Sequence, residues 1–296
     1  MDMAAEHIKR WKIGEAEVIR IVELYDFQDD IWVLLKDAEP DLMTSRDWLR
    51  PHFSTPDGRM RMNFQAFVVK SLGKSIMVDT CIGNDRKREY DVFSNLQGTF
   101  LEDLAAAGCP RESVDTVLCT HLHLDHCGWN THRVDGRWVP SFPNARYLFS
   151  KSEVDHWHAQ LKAGADHMEH VVDAINPIID AGLADYVAPD HKVTDEVSLF
   201  PTPGHTPGHV SVHISSGGQQ AVITGDVVHH PVQFAEPDWI NNFDMDIDAG
   251  ARTRRAFFGR YEDGEALVIG SHFAEPSAGR IVRDGAVWRL VTDGRS

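Results

Sequence analysis

Cysteine is scarce in this 296-residue chain. Its four copies, Cys81, Cys109, Cys119 and Cys127, follow no disulfide framework and form no CxxC pair, so neither a stapled secreted fold nor a thiolate zinc site is expected. Basic residues are also few: 29 Lys and Arg stand against 45 Asp and Glu, and the net charge of −16 repels phosphate backbones and anionic lipid surfaces. Nucleic acid and membrane are therefore not expected as partners. No apolar run approaches the roughly 18–20 residues of a membrane span, and the charges scattered over 1–13 leave no apolar leader core. A cytoplasmic protein with reduced thiols fits these absences. Low-complexity tracts, fixed-period repeats and Pro/Ser-rich linkers are missing too, so 1–296 reads as one domain, large enough to bury a sizeable core.

Alternating apolar and polar residues predict a strand over 17–24, and 66–69 with 75–78 read as a hairpin turning at Gly73. Helical spacing over 99–107 stops at Gly108, and 114–120 is a short buried strand. Further strands are expected near 145–149, 197–200, 210–214, 221–223 and 266–269, with helices over 152–162, 166–181 and 246–261. A last hairpin flanks Asp284-Gly285. Helices and strands alternate, but hairpins open and close the chain, which excludes a simple parallel doubly wound sheet.

Histidine, by contrast, is abundant: there are 17. The sharpest cluster is His121-Leu122-His123-Leu124-Asp125-His126, directly after a buried strand. In an extended segment His121, His123 and Asp125 would share one face, and a turn at Cys127-Gly128 would bring His126 to the same cavity. A solvated loop has no need of three imidazoles and a carboxylate alternating with leucine. Thr202 to His209 forms a second cluster, in which Gly and Pro on both sides of His205 hold the loop tightly bent, while His209 could be a ligand, a supporting residue or part of the core. Thr224-Gly225-Asp226 and Gly270-Ser271-His272 each follow another apolar strand. Alone, Asp226 reads as a turn residue and His272 as a loop histidine; four strand ends of one design point instead to a metal site.

These motifs, with Asp79 in Val78-Asp79-Thr80, resemble in order and spacing those of the metallo-β-lactamase-fold hydrolase superfamily, in particular its lactonase and organophosphate hydrolase branch. The resemblance runs from about Phe64 to His272. It implies an α+β, four-layer αββα sandwich with two mixed sheets. It implies further that His121, His123 and His205 hold one metal, that Asp125, His126 and His272 hold a second, that Asp226 bridges them, and that Asp79 supports them. Two divalent ions are expected, zinc first, with iron, manganese or cobalt accepted by the same donors. A hydroxide bridging two cations forms near neutral pH and can attack an ester without a Ser or Cys nucleophile.

The expected activity is hydrolysis of a small neutral lactone or carboxylic ester, with Asp125 and His229 as the residues taking part in catalysis. The alternatives are phosphotriester cleavage at the same site, or a non-hydrolytic metal-binding or redox role. Lactonases of this branch carry a tyrosine three residues after the bridging Asp, where this chain has His229. His229 and His230 could polarise a carbonyl or protonate a leaving group, unless both are ordinary loop histidines. The region 1–63 reads partly as an extension whose Trp32, Trp48, His52 and Phe53 either wall the substrate pocket or belong to the core. A homodimer is compatible with this reading.

Overall fold

A computed structural model describes residues 8–292 apart from 37 and 39. Most of the leader expectation, which rests on 1–13, therefore lies outside the described residues. Among the described residues, fifteen strands, β1 (Lys9–Ile13), β2 (Ala16–Asp29), β3 (Met60–Ser71), β4 (Lys74–Val78), β5 (Thr116–Leu118), β6 (Thr131–Val134), β7 (Arg137–Pro140), β8 (Arg146–Ser150), β9 (Ala184–Val187), β10 (Val197–Pro201), β11 (Val210–Ser216), β12 (Gln219–Ile223), β13 (Leu267–Ile269), β14 (Ala278–Asp284) and β15 (Val287–Val291), build three sheets. Seven form the sheet β1-β2-β3-β4-β5-β8-β9 and six form β10-β11-β12-β13-β14-β15, while β6 and β7 make a separate ribbon. Both large sheets are mixed: β4, β5, β8 and β9 run parallel, as do β12 and β13, and the other pairs are antiparallel.

Period-two alternation decides the layering. On β3, Phe67 and Val69 meet Val212, Ile214 and Ile223 of the other sheet in one buried cluster. Their neighbours Ala66 and Val68 face the opposite way, toward Phe100, Leu104 and Val154 of helices. The second sheet repeats this, with Val222 and Val268 packed on Phe257 and Phe258 of the helix Ile247–Arg260. Helix, sheet, sheet and helix are thus stacked around three apolar layers, the αββα sandwich expected. No described helix is long and apolar enough to cross a membrane.

One expectation is refined and one corrected. The helix expected over 166–181 is present over 169–180, with one widened turn, Val171–Ile175, before its last segment, Asn176–Asp180. Pro177 has no N–H for the Asp173 carbonyl one turn back, and the Thr131 hydroxyl donates to that carbonyl instead. The segment after His121 is not extended through Asp125: a helical turn begins at Leu124 (Leu124–Cys127) with His123 at its N-cap. Asp125 and His126 are therefore rotated away from His121 and His123.

Candidate metal centre

Strand register brings the four motifs to one edge of the sandwich. β12 and β13 run parallel and end beside each other, delivering Asp226 and His272. Val212 pairs with Ile223 and Val210 with Pro201, so the end of β10, and with it His205, lies at that same edge. In the first sheet β4 and β5 run parallel and deliver Asp79 and His121. The Val210 N–H donates to the Thr120 carbonyl at 2.9 Å, joining the two edges.

Two groups of side chains that could hold a metal result. One is His121, His123, His205 and Asp226; the other is Asp125, His126 and His272, with the ligand atoms of each group within 4.8 Å of one another. Asp226 touches both. Its Oδ2 lies 3.4 Å from His205 Nε2 and 3.2 Å from His126 Nε2, and its Oδ1 is 3.2 Å from His272 Nε2. His123 Nδ1 stands 3.0 Å from His121 Nε2 and 2.8 Å from His205 Nε2, and the Nε2 atoms of His126 and His272 are 3.1 Å apart. Nitrogens bound about 2.0–2.1 Å from a tetrahedral zinc ion stand about 3.3 Å apart, so the spacing suits a cation at each centre.

The opposite ring nitrogens point the same way. His126 Nδ1–H donates to Asp79 Oδ2 at 2.9 Å, His272 Nδ1–H to the Asn63 carbonyl at 3.1 Å, and His121 Nδ1 meets the Thr120 hydroxyl at 3.1 Å. Each partner leaves an Nε2 lone pair facing the centre. Asp79 itself has φ +58°, a conformation unusual for a residue with a side chain. In it the carboxylate accepts the Thr120 N–H as well. His205 Nδ1 lies 3.4 Å from Asp244 Oδ1, and Arg254 clamps the other oxygen of Asp244 at 3.0 and 3.2 Å.

The electrostatics fit a cation host. Burial, reinforced by neighbouring imidazoles, pushes His121, His123 and His205 well below the usual histidine pKa. Burial also works against a charged His126, but Asp226, Asp125 and Asp79 outweigh it and hold its pKa well above the usual value. The imidazoles around Asp226 overcome its burial and keep it ionised, while its Oδ1 has no hydrogen-bond partner. The neutral lone pairs of His121, His123 and His205, and carboxylates that without a metal draw a proton onto His126, converge in a buried space as a metal ion requires.

Two of the sequence candidates have other roles. His209 donates from Nδ1 to the Thr202 carbonyl at 3.0 Å and accepts the Asp226 N–H on Nε2 at 2.7 Å, so it positions the Asp226 turn. That turn needs Gly225: its φ is +55°, and a Cβ there would stand 2.6 Å from His209 Nε2. His230 donates to the Phe53 carbonyl at 2.7 Å and accepts the Val232 N–H at 3.1 Å, and burial takes its pKa down to about 4. Both its nitrogens are used within the protein. His229 instead faces the centre, with Nε2 3.1 Å from Asp226 Oδ2.

Above the centre opens a cleft of about 340 Å³ in which His123, Asp125, His205, Asp226, His229 and His272 meet an apolar wall. Phe27, Val33, Leu34, Met60 and Met62 supply the N-terminal part of that wall. The four residues considered for it from sequence do not line the cleft: Phe53 is buried against His230 and Phe273, Trp48 packs on the second core, Trp32 is half exposed, and His52 lines a neighbouring cavity. Val33 and Leu34, smaller neighbours of Trp32, line the cleft instead.

Besides Asp244, a second structural carboxylate escaped sequence reasoning. Glu153, on the helix Lys151–Ala163, accepts the Leu122 N–H at 3.2 Å, the Gly208 N–H at 2.7 Å and the Trp157 indole N–H at 3.1 Å. It ties the His121–His126 loop to the His205–His209 loop. In sequence it is an ordinary first-turn acid, with no signal that its partners lie 31 and 55 residues away.

Residues 65–272 match the family described as the metallo-beta-lactamase superfamily. No curated protein matches the chain. Among solved structures it is similar to AidC, a dizinc quorum-quenching lactonase in complex with the product N-hexanoyl-L-homoserine, at 24% identity over 98% of each chain with a TM-score of 0.79. The hydrolase AbOPH of the beta-lactamase superfamily gives the same identity, coverage and TM-score. A probable metal-dependent hydrolase from Staphylococcus aureus is 16% identical over 97% of this chain and 100% of that one, with a TM-score of 0.76. At such identities the likeness is one of fold.

Proposed function

The chain belongs to the metallo-beta-lactamase superfamily, and from that premise we propose that it is a dinuclear metal-dependent hydrolase of a small, neutral lactone or carboxylic ester. The observation that carries this reading is the pair of ligand groups sharing Asp226 at the floor of a mostly apolar cleft. His121, His123 and His205 would hold one cation and Asp125, His126 and His272 the other, with Asp226 between them. Five imidazoles and two carboxylates suit zinc, and iron, manganese or cobalt accept the same set. When bound, such cations make a deprotonated water available near neutral pH and offset negative charge growing on the substrate.

The chain's own groups supply orientation and exclusion of water. Asp79, Thr120 and Asn63 hold three imidazoles with lone pairs inward, and Phe27, Val33, Leu34, Met60 and Met62 keep the reacting end in a poorly hydrated cleft. Asp125 keeps 17% of its side-chain surface exposed against 3% for Asp226, which supports reading it as the carboxylate that would take or pass a proton at the cleft floor. His229, whose Nε2 lies 3.1 Å from Asp226 Oδ2 at the cleft floor, would donate to the oxygen on which charge develops. An uncharged, apolar substrate suits such walls, and a polyanionic one is opposed by the net charge.

The test is elemental analysis of protein loaded with metal, followed by a panel of lactones, aryl esters and phosphotriesters. About two ions per chain and lactone or ester hydrolysis lost on chelation are expected. Fully metallated protein that is inert toward lactones and esters, yet active in redox assays or on phosphodiesters, would refute the reading.

A further inference from the structure

His229 Nε2 would do opposite things in its two neutral forms. With a proton it is a hydrogen-bond donor to a substrate oxygen. Without one it presents a lone pair 3.1 Å from Asp226 Oδ2, where it would compete as an additional metal ligand. Something must decide between these forms. Its partner on the other ring nitrogen is Asn241, whose Nδ2 lies 2.9 Å from His229 Nδ1.

The direction of that hydrogen bond follows from the surroundings. A backbone N–H can only donate, and the Phe243 N–H donates to Asn241 Oδ1 at 3.0 Å. The amide is thereby oriented with its NH2 toward His229. An NH2 can only donate, so His229 Nδ1 accepts and the proton of the neutral ring resides on Nε2. Both residues are buried, Asn241 at 1% exposure, so water does not compete for these atoms. The main chain of Asn241 is fixed as well. It forms an antiparallel bridge with Leu35, the Asn242 N–H donates to the Leu34 carbonyl, and the Asn242 side chain donates to the carbonyls of Trp32 and Val33. The segment 31–35 thus does more than wall the cleft: it holds the residue that orients the His229 proton.

We propose that Asn241 is a positioning residue that holds His229 in its Nε2–H form, making it a hydrogen-bond donor to the substrate oxygen and barring it from the metals. This rests on the hydrolytic reading for its consequence, but the tautomer can be read without any substrate. In zinc-loaded protein labelled with ¹⁵N, two-bond proton–nitrogen correlation spectra distinguish an Nε2–H ring from an Nδ1–H ring, and a His229→Gln variant identifies the signals. Wild type should give the Nε2–H pattern, and an Nδ1–H pattern would overturn the proposal without any variant having to fold. Asn241→Asp keeps the shape and the acceptor for Phe243 but turns a donor into an acceptor. At a pH where the ring is neutral it should move the proton to Nδ1. In turnover it should lower kcat about tenfold or more with little change in KM, because the lost interaction belongs to the transition state. Unchanged His229 signals in folded, metal-loaded Asn241→Asp would also refute the proposal. The expected tautomer in a protein without esterase or lactonase activity would leave this assignment standing and refute only the hydrolytic reading.

Discussion

Replacing Glu153 by alanine should loosen the fold and the metal centre together. The carboxylate is almost fully buried and takes three N–H donors, from Leu122, Gly208 and Trp157. Hydrogen bonds to a charged acceptor contribute about 1.5–3 kcal/mol each, and three sharing one carboxylate are not independent. Alanine also removes the cost of burying a charge. A net loss of about 3–5 kcal/mol is expected, a large share of the 5–15 kcal/mol that typically holds a protein folded. It should appear as a lower urea midpoint for the metal-free protein. Leu122 sits between His121 and His123, and Gly208 follows His205 closely, so the same change should weaken zinc about ten- to a hundredfold, read by competition with a chromogenic chelator. Glu153→Gln should recover part of the loss, because its amide oxygen can take the Leu122 and Trp157 N–H groups while its NH2 would meet the Gly208 N–H. A loss below about 1 kcal/mol, or a clear loss of stability with unchanged zinc affinity, would refute the idea that Glu153 couples the two loops.

Asp226→Ala should lower occupancy at both centres, since each cation loses a ligand and the pair loses the anion between them; full occupancy of either centre by elemental analysis would contradict the bridge. His229→Ala should lower kcat while both metals remain bound, and an unchanged kcat would make His229 a bystander. Burial tends to raise the pKa of Glu275, but Lys9 and Arg20 outweigh it and leave it below the usual 4.5. The ion pairs therefore stabilise the fold above that value and are lost as pH falls through the depressed one. Because Glu275 is half exposed to solvent screening, the expected gain is under about 1 kcal/mol. Thermal melts of wild type and Glu275→Gln should differ at neutral pH and converge in acid, and a difference that persists in strong acid would exclude this origin.

The ligand-type residues were legible because each follows an apolar strand, and a strand end is a local signal. His121, His123, Asp125, His126, His205, Asp226 and His272 could all be picked out that way, while the order of helices and strands excluded only a parallel doubly wound sheet, and the layered sandwich now seen was implied by the family resemblance those motifs carry. Spacing alone could not place Asp125 and His126 on a helical turn, because turn and extended chain differ there by a rotation that only packing selects. Nor did it distinguish His229 from His230. These neighbours have the same chemistry, and one is consumed by the Phe53 carbonyl while the other faces Asp226.

The partners of the ligands belong wholly to tertiary structure. Glu153, Asp244 with Arg254, and Asn241 carry no local mark, since a buried carboxylate or amide is defined by donors brought to it from distant segments. Strand-end chemistry, which depends on neighbours in the chain, determined the candidate metal residues and, through the resemblance they carry, the fold class. The direction of each proton and lone pair around those residues was decided only when the sheets closed, because a hydrogen bond is directional and its partner here lies up to more than two hundred residues away.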